Sequence, residues 1–168
     1  MEIVIALVAV FLVGILALPR TAGGSTAPDG STGALDLDPI IRKYAYMRNV
    51  PFNILKAMIW QESRFNSLAV NDERLKNDPS DDARGLMQIR AGALADFNQA
   101  TGNSYSVQHL FNADININVG SWYLGQLIRR NGIETGVQMY NTGEQGYKNG
   151  VRNAAYASAI MTRSAQYA

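Results

Sequence analysis

The chain has no cysteine and a single histidine, His109, in 168 residues. The first absence excludes disulfides, thiolate nucleophiles, thiolate zinc sites and iron–sulfur clusters. The second excludes a multi-histidine metal centre. Charge is also scarce: 17% of the residues are charged, against roughly 25% in an average soluble protein, so apolar residues must be concentrated somewhere. The formal net charge is +1, whereas a nucleic-acid binder normally carries a strong basic excess, and no nucleic-acid partner is implied. No stretch alternates apolar and polar residues long enough to demand a sheet, and there are no internal repeats or heptads. The length holds one full domain and excludes a second.

The apolar excess sits at the start. From Ile3 to Leu18 no side chain is polar, and Pro19-Arg20 closes the run. Sixteen helical residues span about 24 Å, slightly short of a hydrocarbon core of about 30 Å. Met1-Glu2 precedes the run where a secretory signal would place a basic residue, and no A-x-A-like site follows it. We read residues 1–20 as an uncleaved membrane anchor, with a cleaved signal peptide as the alternative. The next segment, 21–35, is rich in Gly, Ser, Thr, Ala and Pro and reads as a flexible linker. The folded domain is then 36–168.

That domain reads as mainly helical. Asp38-Pro39 supplies a cap and a first-turn proline for a helix to Asn49, and Pro51 opens a second to Ser63, with Leu55, Met58 and Ile59 at the spacing of one face. Ile115–Arg130 and Asn153–Tyr167 predict two more, the last with Ala155, Tyr156, Ala159 and Ile160 on a common side. Between Asn66 and Gly85 lies a polar segment suited to a long loop or a small hairpin.

Continuing the second helix's apolar face by three residues lands on Glu62. A carboxylate on a buried stripe has a raised pKa, because burial disfavours its charged form, and a raised pKa is what a general acid needs. From periodicity alone the alternative is a stripe-edge glutamate paired with an arginine.

Four blocks around this residue carry a resemblance. Gln61-Glu62-Ser63-x-Phe65-Asn66 is followed by Ala83-Arg84-Gly85-Leu86-Met87-Gln88-Ile89, by Asn118-Val119-Gly120 with Tyr123-Leu124, and by Tyr140-Asn141-Thr142-Gly143. In this order they resemble the soluble-lytic-transglycosylase (SLT) domain, a lysozyme-like fold of bacterial and phage peptidoglycan-cleaving enzymes, over roughly Ile40 to Tyr167. The chain departs from that pattern in having Met139 before Tyr-Asn, where the family commonly has Ala, and in a longer loop before Gly85.

The resemblance implies a goose-type, SLT-like helical domain with at most a small hairpin, and a lytic transglycosylase. Glu62 matches the family's catalytic acid, which protonates the glycosidic oxygen between N-acetylmuramic acid and N-acetylglucosamine and then acts as base on the muramic acid 6-hydroxyl, closing a 1,6-anhydro ring. It implies no metal and no cofactor. Ser63 is a candidate to bind substrate or hold the acid, Met87 to line the sugar groove, Gln88 to line the cleft, Tyr140 to orient Glu62, and Asn141 to touch a sugar amide or to end a helix. Asn118 and Gly120 read as structural, Trp122 and Tyr123 as core, and His109 has no assigned role. One rival is a hydrolytic lysozyme-type enzyme with a second carboxylate among Asp72, Glu73, Asp78, Asp81 and Asp82, and another is a non-catalytic wall-binding or assembly module. The expected partners are peptidoglycan glycan strands, a membrane through residues 3–18, and the proteins of a secretion apparatus or a virion. The expected location is a single-pass membrane protein with its domain on the periplasmic or cell-wall side, or a virion component.

Overall fold

Prolines, asparagines and glycines divide the domain into helices. A computed structural model describes residues 36–71 and 82–168. The order is α1 (Asp38–Arg48), α2 (Phe52–Ser63), β1 (Val70–Asn71), β2 (Ala83–Arg84), α3 (Ala91–Thr101), α4 (Ala113–Asn131), α5 (Ile133–Thr142), α6 (Glu144–Lys148) and α7 (Ala154–Ser164), with short 3-10 turns at Val107–Phe111 and Ala165–Tyr167. β1 and β2 pair antiparallel, Val70 opposite Arg84 and Asn71 opposite Ala83, so the architecture is mainly helical with one small hairpin. The apolar run 3–18, the linker 21–35 and the acids Asp72, Glu73, Asp78 and Asp81 lie outside the described residues. Among the described residues no helix is long and apolar enough to cross a membrane.

Several ends differ from the sequence reading. Leu37, not Asp38, is the N-cap of α1. The Asp38 carboxylate instead meets Lys56 of α2 at 2.6 Å, an ion pair that ties the first two helices together. Asn112 caps α4 by accepting from the Ile115 N–H at 3.1 Å, so that helix starts two residues early. Asn153 is the cap of α7 rather than its first residue, and the helix finishes as a 3-10 turn after Ser164. Ala155 and Ala159 face solvent, while the row of Tyr156 and Ile160 packs inward with Ala157 and Ser164. Three helices were not expected: α3 buries only Leu94 and Phe97, α5 buries Gly136, Val137, Gln138 and Met139, and the five-residue α6 buries nothing.

α4 is the central element, packed on α1, α3 and α5. Its glycine and asparagine govern how the segment from Gly85 to Ile89 is held. A Cβ at Gly120 would come 2.5 Å from the Met87 sulfur, so the bare backbone makes the space that Met87 fills. One turn earlier, Asn116 is wholly buried. Its Oδ1 accepts from the Met87 N–H at 2.8 Å, and its Nδ2 donates to the carbonyls of Arg84 and Leu110 at 2.9 and 2.8 Å. Gly85 sits at φ +74, where a Cβ would fall 2.2 Å from both Asn116 Nδ2 and the Leu110 carbonyl.

Asn116→Ala leaves one buried N–H and two carbonyls without this partner. It should destabilise the domain by roughly 2–4 kcal/mol in urea unfolding, and a loss below about 0.5 kcal/mol, the ordinary surface range, would contradict the role assigned to this amide.

Candidate active site

The core row of α2 runs through Leu55, Met58 and Ile59, all without exposed surface, and ends on Glu62 in the last turn. There the Glu62 carboxyl is pushed up to about 7, first by burial and in the opposite sense by a hydrogen bond. The donor is the Tyr156 hydroxyl of α7, which donates a hydrogen bond to Glu62 Oε1. Tyr156 and Tyr140 are both held well above the usual phenol range, first by burial and then by the negative charge of Glu62, so each stays protonated. With Oε1 occupied by a donor, Oε2 is the oxygen left to carry the acid proton.

The other residues singled out in the sequence take varied positions. The Tyr140 hydroxyl lies close enough to feel the Glu62 charge, but it donates to the Met87 carbonyl at 2.8 Å, and its ring packs 5.6 Å from that of Tyr123. The direct bond to Glu62 comes from Tyr156 instead. Ser63 is buried, and its hydroxyl lies 2.9 Å from the Leu86 carbonyl and 3.1 Å from that of Ile59, tying α2 to the Gly85–Gln88 turn rather than facing a cleft. Met87 is fully buried against Gly120 and lines no groove. Gln88 is partly buried at φ +49, and its Nε2 donates to Gly85 O at 2.9 Å and Ala69 O at 3.3 Å, which leaves Oε1 as its free polar atom among these contacts. Asn141 is exposed, and its Oδ1 accepts from Asn153 Nδ2 at 2.8 Å. Asn153 in turn accepts from the Tyr156 N–H at 3.0 Å, so the end of α5 fixes the start of α7 and with it Tyr156.

The sequence reading therefore missed two residues. Tyr156 was counted as part of a packing stripe. The signal was there, because a tyrosine hydroxyl on a core row needs a polar partner. Asn116 was passed over for Asn118, whose Oδ1 instead accepts from Arg48 Nη2 at 2.7 Å on the α1 side.

Among the described residues no second carboxylate acts on Glu62, and no arginine pairs with it. Asp82 is buried and faces Arg84, with Oδ2 3.7 Å from Nη2. A groove of about 670 Å³ lies at the C-terminal end of α1, lined by Arg42, Tyr46 and Phe52 among others, and holds none of the residues around Glu62.

Comparison with known proteins places this geometry. The family described as Transglycosylase SLT domain matches residues 39–161, well over half of the chain. The chain belongs to the SLT domain family. No curated protein sequence matches it. Among solved structures, an inactive mutant of lytic transglycosylase Slt from Pseudomonas aeruginosa is similar with a TM-score of 0.64 at 22% identity, over 77% of this chain and 23% of that one. The 70-kDa soluble lytic transglycosylase of Escherichia coli gives 0.65 at 21% identity, over 77% and 24%. The 70-kDa enzyme in complex with bulgecin A gives 0.56 at 22%, over 77% and 19%. The matched region is thus about a quarter of those longer chains, and the likeness is one of fold. Glu62 of this SLT domain lies at the end of α2, beside the Gly85–Gln88 turn that Asn116, Ser63 and Tyr140 hold.

The Glu62 carboxyl stands at about 7 in the folded SLT domain against 4.5 for the unperturbed group. Between those values the folded state keeps a proton that the unfolded chain has lost, so stability falls as pH rises from about 4.5 to about 7. Glu62→Gln escapes that loss. Its melting temperature relative to the unmodified protein should climb across the window and level off above pH 7, whereas a pH-independent difference would contradict the burial of the carboxyl.

Proposed function

We propose that this SLT domain is a peptidoglycan lytic transglycosylase with Glu62 as its single acid and base. The observation that carries the reading is a carboxyl held near neutrality by burial, with a tyrosine donor on one oxygen and no second carboxylate acting on it among the described residues. A group at about 7 is half protonated at neutral pH, so it can give a proton in one step and take one in the next. Membership of the SLT family and the fold shared with lytic transglycosylases support the same substrate.

In the first step the Oε2 proton passes to the glycosidic oxygen between N-acetylmuramic acid and N-acetylglucosamine. The bond from muramic acid C1 to that oxygen breaks, and positive charge develops at C1. Tyr156 keeps its hydroxyl on Oε1 throughout and favours the carboxylate that forms. In the second step the carboxylate takes the proton of the muramic acid 6-hydroxyl as O6 bonds to C1. The 1,6-anhydro ring closes, and Glu62 is protonated again. Since the nucleophile belongs to the substrate, the balance closes without water. Gln88 and Asn141 border this region and are the candidates for sugar contacts.

The setting belongs to the same proposal. Residues 3–18 tether the domain to a membrane, on the periplasmic or cell-wall side. There it opens the wall locally for an envelope-spanning apparatus, or acts as a virion component at phage entry.

Digestion of purified sacculi by the full-length protein, followed by mass spectrometry of the soluble muropeptides, tests the reading. Anhydro-muramic products are expected, and Glu62→Gln should lower the rate by about 10²-fold or more. Reducing ends without anhydro species would show a hydrolase, and a fully active Glu62→Gln protein would remove Glu62 as the acid.

A further inference from the structure

The indole of Trp60 on α2 is held between two guanidinium groups. Arg64 Cζ stands 3.2 Å from the centre of the ring and Arg163 Cζ of α7 stands 2.9 Å from it. Two guanidiniums that close to one ring centre cannot share a face, so one lies on each side. Each stacking contact is favourable by itself. Together they set two positive charges across one ring, and Arg163 adds to burial in lowering the Arg64 guanidinium.

Several other cations of the domain face acids: Lys43 meets Asp114, Lys56 meets Asp38, and Arg130 and Lys148 share Glu144. Among the described residues Arg64 and Arg163 have no acidic partner, and their side-chain N–H groups make no hydrogen bond. Arg64 also reaches its place through an unfavourable backbone. It sits at φ +54 with Phe65 at +62, consecutive non-glycine residues in the left-handed region. Glycine would end α2 there without that strain, yet the arginine stands at that position with its backbone N–H on the Trp60 carbonyl at 2.9 Å.

We propose that Trp60, Arg64 and Arg163 form an anion-binding site apart from the Glu62 cleft, and that it receives a carboxylate of the peptide stem carried by the wall's muramic acid. Two planar donor forks fixed by one apolar plate suit an anion with more than one acceptor oxygen. Trp60 precedes Glu62 by two residues, only about 3 Å along the helix axis, although it points to the other flank of α2. An extended stem of four residues with the lactyl group that carries it covers about 17 Å at about 3.4 Å per unit, against about 16 Å for half the circumference of a helix about 10 Å across. A glycan seated at Glu62 thus brings its own stem carboxylates to the pair. This inference rests on the substrate proposed above.

The test is a binding measurement in full-length Glu62→Gln protein, which prevents turnover. The ligands are a disaccharide tetrapeptide and the same compound with its peptide carboxylates converted to primary amides. The free acid should bind about tenfold more tightly than the amide. Adding Arg64→Gln or Arg163→Gln should remove most of that preference and leave the amide's affinity unchanged. Arg64 is exposed, so its variant should keep the circular dichroism spectrum and melting temperature of the parent. Equal affinity for acid and amide, an equal loss for both ligands in the arginine variants, or binding of inorganic phosphate in place of the stem would overturn the proposal. Because binding is read without cleavage, failure of the full-length protein to cut sacculi would sink the proposed activity and leave this measurement standing.

Discussion

A carboxyl group at the end of a buried helix row cannot ionise freely, and much of the arrangement around Glu62 follows from that constraint. Desolvation alone would leave a neutral acid. The Tyr156 hydroxyl on Oε1 pulls the other way, and the balance leaves the group at about 7. The position of Tyr156 depends on α7, whose start is fixed by Asn153, and Asn153 is bound across to Asn141 at the end of α5. Three helices therefore decide the protonation of one oxygen pair. The domain carries a stability cost at neutral and alkaline pH, where a charged Glu62 sits in a poorly solvated place.

The wall opposite Tyr156 is held by a different device. Asn116 fastens the backbone of the Gly85–Ile89 segment to α4, Ser63 fastens it to α2, and the Tyr140 hydroxyl fastens it to α5 through Met87 O. Gly85 and Gly120 permit the close approach. Each of these side chains is engaged within the protein, so the Gly-Leu-Met-Gln block acts as a braced backbone element. Of its side chains, Gln88 is the one that is only partly buried.

The helical class, the small hairpin, the stripe of α2 and the inward place of Glu62 were legible from period, prolines and loop composition. The helices α3, α5 and α6 were not: α3 buries only two side chains and α6 none, and in α5 the helical spacing of Ile133, Val137 and Tyr140 is interleaved with buried Gly136 and Gln138. At the site, motif words pointed to blocks of sequence but not to which atoms meet. A hydroxyl on Tyr140 and one on Tyr156 are equivalent in a linear reading, and only the antiparallel crossing of α2 and α7 decides that Tyr156 reaches Oε1. Met87 and Ser63 looked able to face a ligand, and burial turned both inward once Gly120 had opened space for the one and the Leu86 carbonyl had taken the other.

The central claim, a single carboxyl poised near neutrality by burial and one tyrosine, is tested most directly by a titration. The side-chain carboxyl of Glu62 can be followed by carbon NMR in the labelled full-length protein, with Tyr156→Phe alongside. A midpoint at about 7 is expected, moving upward in Tyr156→Phe, because the lost hydrogen bond favours the charged form. A midpoint near 4.5, unchanged by that substitution, would contradict the account.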